Sequence, residues 1–94
     1  MRSRYSAFAL GDDGYVRRSW HPSTRPADVE LDARLDWIGL EIVDLVDGGP
    51  DDDTGTVEFR ARYRSPQLGD GVLHERSSFA RRAGRWVYVD GEVR

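Results

Sequence analysis

The apolar positions change period once along the chain, near residue 37. Before it, Met1, Tyr5 and Phe8 recur at i, i+4 and i+7, the spacing of one helix face, within the helix-forming stretch "RSRYSAFAL" at residues 2–10. Gly11 is placed to stop this helix, and Asp12 or Asp13 to cap a second one running from about Gly14 to Trp20. That second helix groups Tyr15, Val16, Ser19 and Trp20, and Pro22 ends it. "STRPADVELDARL" offers Ser23 or Thr24 as a cap, Pro26 for a first turn, and Val29, Leu31 and Leu35 as apolar points. It reads as a short third helix or an irregular turn.

From Trp37 the period is two. Ile38, Leu40 and Ile42 alternate, then Val43 and Leu45 continue in the opposite phase, which is the sign of a β-bulge near Ile42 or Val43 and hence of a bent sheet. "GGPDDDTG" is a loop. Residues 56–64 alternate again, with Val57, Phe59, Ala61 and Tyr63 inward and Glu58, Arg60, Arg62 and Arg64 outward. "SPQLGDG" is a second loop, a third strand runs from about Val72 to Arg81, Ala83 and Gly84 turn, and Arg85 to Asp90 form a fourth strand. Helices followed by an antiparallel meander of four strands make an α+β domain, with the helices packed on one face of the sheet.

Length and composition narrow the picture. A chain of 94 residues argues for one domain over residues 1–94 with a thin core. No apolar run reaches the roughly 18 residues a membrane span needs, and "MRSR" opens without the apolar stretch of a signal peptide, so a cytoplasmic location and no membrane partner are expected. The net charge of −3 argues against a nucleic-acid partner. The positive charge is arginine throughout, the side chain best suited to paired hydrogen bonds with carboxylate or phosphate. With no cysteine and only two histidines, no metal is expected, and no motif calls for a cofactor.

"MRSRYSAFALGD", "WHPSTRP", "GLEI", "GTVEFRARYR" and "LHERSSFARRAGRWVYVDG", in this order, cover nearly the whole chain. Together they resemble the YchJ-like proteins, and more narrowly that family's middle domain, of the nuclear transport factor two-like fold. The resemblance implies a cystatin-like cone: about three N-terminal helices against a strongly curved four-stranded antiparallel meander, often enclosing a pocket. It implies no particular activity. YchJ-like proteins usually begin with a cysteine-rich, zinc-binding SEC-C motif. None of it stands in this sequence, which starts at the family's second segment, so no zinc site carries over.

Within that frame Glu75 is the sharpest feature. Period two from Leu73 puts Glu75, Ser77 and Phe79 on the inward face, and a carboxylate there must be paired or protonated. Arg2, Arg4 or Arg76 are the candidate partners. One reading is a general acid/base or a ligand anchor; the other is a structural ion pair, or a bulge that turns Glu75 outward. His21 is a second catalytic candidate or a cap on a helix end, and His74 falls on the face opposite Glu75. Arg2, Tyr5, Trp20, Trp37, Tyr63, Glu75 and Trp86 are the expected pocket residues, and the pocket is either open or plugged by Trp37 and Trp86. Asp44, Asp47 and Asp51 to Asp53 miss the calcium-loop spacing and read as a solvated acidic turn; Arg60, Arg62, Arg64 and Arg76 read as an anion-binding row or an ordinary charged face. The leading expectation is a module that binds a small-molecule ligand or associates with protein, including a homodimer. The alternative is a small acid/base enzyme of isomerase, cyclase or dehydratase type, with Glu75 as base and Tyr5, Tyr63 or His21 as partner.

Overall fold

The computed structural model describes all residues, Met1–Arg94. Helix α1 spans Arg2–Leu10 and α2 spans Asp13–Arg18; β1 (Asp36–Asp47), β2 (Thr54–Arg64), β3 (Gly71–Arg82) and β4 (Arg85–Val93) follow. The strands pair antiparallel in chain order β1-β2-β3-β4. Gly11 ends α1 in the left-handed region at φ 72°, its N–H reaching the carbonyls of Ala7 and Phe8. The Asp12 side chain caps α2 by accepting the Tyr15 N–H.

The expectation of about three helices is corrected to two. Residues 21–35 form two turns and a bend. Pro22 and Pro26 each remove a backbone donor and push the preceding residue out of the helical region. The Asp32 carboxylate accepts the backbone N–H and the guanidinium of Arg34, a local bond that competes with helix formation. The second helix is also shorter than its pattern suggested. Ser19 and Trp20 leave it to run alongside β4, with Tyr88 N–H donating to Ser19 O and His21 N–H donating to Tyr88 O, each at 2.7 Å. This segment covers the free edge of β4, which would otherwise present unpaired backbone groups.

Three bulges bend the sheet. The two in β1 leave Ile38 and Val43 without a partner between the pairs Trp37–Tyr63 and Gly39–Arg62, and Ile42–Phe59 and Asp44–Glu58. Trp37, Leu40, Ile42 and Leu45 consequently all pair with inward positions of β2 despite their uneven spacing. The third leaves Val89 unpaired between Ser78–Asp90 and Phe79–Tyr88. Val16, Ala7, Phe59, Ala61 and Phe79 are buried where the helices meet the sheet. The acidic loop between β1 and β2 is a built turn: Asp52 accepts the Gly49 N–H, and the Arg81 guanidinium donates to the carbonyls of Gly49, Pro50 and Asp52.

The β3–β4 hairpin turns on Ala83 and Gly84, both at positive φ, 51° and 77°. Two-residue turns of this kind match the twist of the strands, but a Cβ at the first position is strained. Ala83→Asn relieves that strain and is expected to raise unfolding stability by about 0.5–1 kcal/mol in a denaturant titration.

Candidate functional site

The underside of α1 and the concave face of the sheet form a cavity of about 220 Å³ that opens to solvent. Its walls are largely aromatic, with Phe8 from α1, Trp20 from the segment after α2, Trp37 from β1 and Phe59 from β2. Five side chains with polar ends join them: Arg4, Tyr5, Glu75, Ser77 and Tyr88.

Arg4 is 5% exposed although it carries a charge. Its Nη1 donates to Val16 O at 3.0 Å and to Ser19 Oγ at 2.7 Å, capturing the end of α2. Its guanidinium carbon lies 4.5 Å from the Tyr88 ring centroid and 5.3 Å from that of Trp20. No carboxylate comes within ion-pairing distance. Burial lowers the Arg4 pKa from its ordinary value, while the fields of Tyr88, Tyr15 and Glu75 oppose the shift.

Glu75 enters from β3, where it pairs with inward-facing Phe59. Its Oε2 accepts a 2.5 Å hydrogen bond from Ser77 Oγ, two residues along the same face, and Ser77 is fully buried. The carboxylate lies over Gly91 of β4: a Cβ built there would stand 2.5 Å from Glu75 Oε2 and 2.8 Å from the Tyr88 hydroxyl oxygen. A bare glycine at this position is what lets both polar ends occupy the floor of the cavity. The third bulge makes this possible, because it brings Tyr88 opposite Phe79 and Gly91 opposite Ser77, an odd spacing that no regular strand presents on one face.

The other sequence-predicted residues divide plainly. Tyr5, Trp20, Trp37 and Glu75 line the cavity. Arg2 is exposed on α1. Tyr63 sits outside the lining and packs edge-on against Trp37, with centroids 5.6 Å apart. Trp86 lies in a second hollow with Leu45, Val57 and Phe79, beneath the Arg81 guanidinium, so it does not plug the first one. The His21 ring is turned to Ser23, whose N–H and hydroxyl lie 3.0 and 2.8 Å from Nδ1. His74 is on the opposite face and meets Glu58 at 2.7 Å, which holds the Glu58 carboxyl below its usual range. Arg60 pairs with Glu41 at 2.9 Å, and Arg76 meets Glu58 at 3.5 Å, the pattern of an ordinary cross-strand charged face. Arg4 appeared in the sequence only as a partner for Glu75, and Ser77 only through period two. Tyr88 shares a strand face with Trp86 by period two and reads as core, whereas Gly91 carries no signal, because the bulge at Val89 leaves no trace in the alternation.

Burial, and then the field of Glu75, push the Tyr88 hydroxyl up to about 12, with Arg4 acting against them. The folded state therefore holds its proton more tightly than the unfolded chain does. This contribution to stability is present below the ordinary tyrosine value of 10.0 and is lost as pH rises toward 12. In an alkaline titration followed by tyrosinate absorbance, Tyr88→Phe is expected to remove the ionisation near 12.

Comparisons with known proteins agree with this architecture. The family described as YchJ, middle NTF2-like domain matches residues 1–91. A UPF0225 protein of Streptomyces coelicolor is 56% identical over 98% of this chain and 70% of its own length. One from Streptomyces avermitilis is 53% identical over 98% of this chain, which spans 62% of that relative. The solution structure of a SEC-C motif containing protein from Rhodopseudomonas palustris superposes with a TM-score of 0.82 at 35% identity, covering 98% of this chain and 73% of that one. No helix is long and apolar enough to cross a membrane. By sequence and by fold, the chain belongs to the YchJ middle-domain family of NTF2-like α+β proteins.

Proposed function

We propose that this domain is a binding module for a small molecule held between α1 and the sheet. The observation that carries the reading is one cavity of about 220 Å³ that combines aromatic walls with an inward carboxylate and a buried guanidinium. Apolar pockets with a few convergent polar groups are the usual form of ligand sites. The acid/base alternative rests on Glu75, and of the partners first considered only Tyr5 shares its cavity. Tyr88, which stays protonated across the neutral range, supplies a hydroxyl donor and not a base.

A separate observation favours self-association as a second reading. β1 is an uncovered sheet edge, and Val43, Leu45 and Val46 are exposed along it. Such an edge is a template for pairing with another strand. Asp44 and Asp47 on the same strand oppose close approach of a second copy. Sedimentation velocity discriminates: a dimer that dissociates on Leu45→Lys supports this reading, and a monomer at millimolar concentration removes it.

For the ligand-binding reading, amide and indole resonances are followed while a panel of one-ring compounds is added. Shifts are expected to cluster at Tyr5, Trp20, Trp37, Ala61 and Glu75; shifts confined to β1, or none at all, would contradict the reading. Gly91→Ala provides a control. The added methyl displaces the Glu75 carboxylate and the Tyr88 hydroxyl from the cavity floor and not backbone, so those shifts are expected to weaken.

A further inference from the structure

The polar groups of the cavity differ in what they still lack, and the difference selects a ligand. Arg4 spends Nη1 on Val16 O and Ser19 Oγ. Its Nε and Nη2 make no hydrogen bond, and these two nitrogens form one edge of the guanidinium, the edge that grips a carboxylate with two parallel bonds. The plane of that edge is fixed in advance by the Tyr88 ring at 4.5 Å and by the anchored Nη1. Arg4 is 5% exposed, no anion contacts it, and its unpaired Nε and Nη2 are still reached by solvent, so this edge is open to an incoming ligand.

Glu75 is short of the opposite kind of partner. Ser77 occupies Oε2, and Oε1 accepts nothing. Size restricts the occupant further. An apolar cavity of about 150 Å³ accepts a benzene molecule, so about 220 Å³ suits one ring with one or two small substituents. Phe8, Trp20, Trp37 and Phe59 supply faces and edges for such a ring. An amine would meet the unneutralised guanidinium, and a doubly charged phosphate would meet the Glu75 carboxylate; a single carboxylate with a donor at its other end satisfies both residues.

Resting on the reading of this cavity as a ligand site, we propose that it takes a one-ring aromatic carboxylate bearing a hydrogen-bond donor, the carboxylate received by the free edge of Arg4 and the donor by Glu75. Four probes test this on the native protein by tryptophan fluorescence and calorimetry: 4-hydroxybenzoate, benzoate, phenol and benzylamine. 4-Hydroxybenzoate is expected to bind about tenfold or more tighter than phenol or benzylamine, as a two-bond charged contact implies. Arg4→Lys keeps the charge without the fork and is expected to reduce that preference by about threefold or more. 4-Hydroxybenzoate is also expected to bind more tightly than benzoate, and Glu75→Leu, which has no acceptor, is expected to remove that difference. Phenol or benzylamine binding as tightly as 4-hydroxybenzoate overturns the ligand class while leaving the cavity a binding site. Failure of all four probes to bind overturns both.

Discussion

Removing a guanidinium from water costs several kcal/mol, and Arg4 is removed from it without a carboxylate in contact. Two charge-assisted hydrogen bonds to the end of α2, each contributing about 1.5–3 kcal/mol, and stacking over the Tyr88 ring, contributing up to about 2 kcal/mol, are of the size needed to offset that cost. The same contacts set the geometry of the domain. α1 is tied to the last turn of α2, the chain leaving α2 is tied to the edge of β4, and Tyr88 of β4 lies under the guanidinium. The roof of the cavity is thus one side chain reaching across three elements. Its hydrogen bonds are spent through Nη1, which leaves Nε and Nη2 without a protein partner.

The floor has a different origin. A regular strand cannot present Tyr88 and Gly91 on one face, because side chains alternate. The bulge at Val89 breaks the alternation, and Gly91 then opens the space that the Glu75 carboxylate and the Tyr88 hydroxyl fill. The bulges in β1 act likewise at the opposite edge, keeping Trp37 and Ile42 inward over a strand that would otherwise slip out of phase. Curvature and cavity therefore have a common cause, since each extra residue both bends its strand and re-aims a side chain toward the helices.

How much of this is legible in the sequence varies with the range of the interaction. The meander, its order, the inward set on β2, the inward direction of Glu75 and the β1 bulge near Ile42 follow from period two and a phase slip, which are local signals. α1 and its glycine stop are local as well. The third helix is misread because apolar points at Val29, Leu31 and Leu35 say less than Pro22, Pro26 and the Asp32–Arg34 bond. Arg2 and Arg4 look equivalent in sequence, and only packing separates the exposed one from the buried one. Trp86 resembles Trp37 in type, but pairing across from Arg81 sends it to a different hollow. Tyr88 and Gly91 join the site through a bulge for which Val89-Asp90 carries no turn signal.

The most direct test is a crystal structure determined under xenon pressure, since xenon settles among apolar walls such as the aromatic ones here. The account predicts a xenon atom among Phe8, Trp20, Trp37 and Phe59, beneath an Arg4 whose Nη1 remains on Val16 O and above a Glu75 that faces inward. Arg4 extended into solvent, with Phe8 and Trp37 collapsed onto the sheet and no xenon between them, would contradict it.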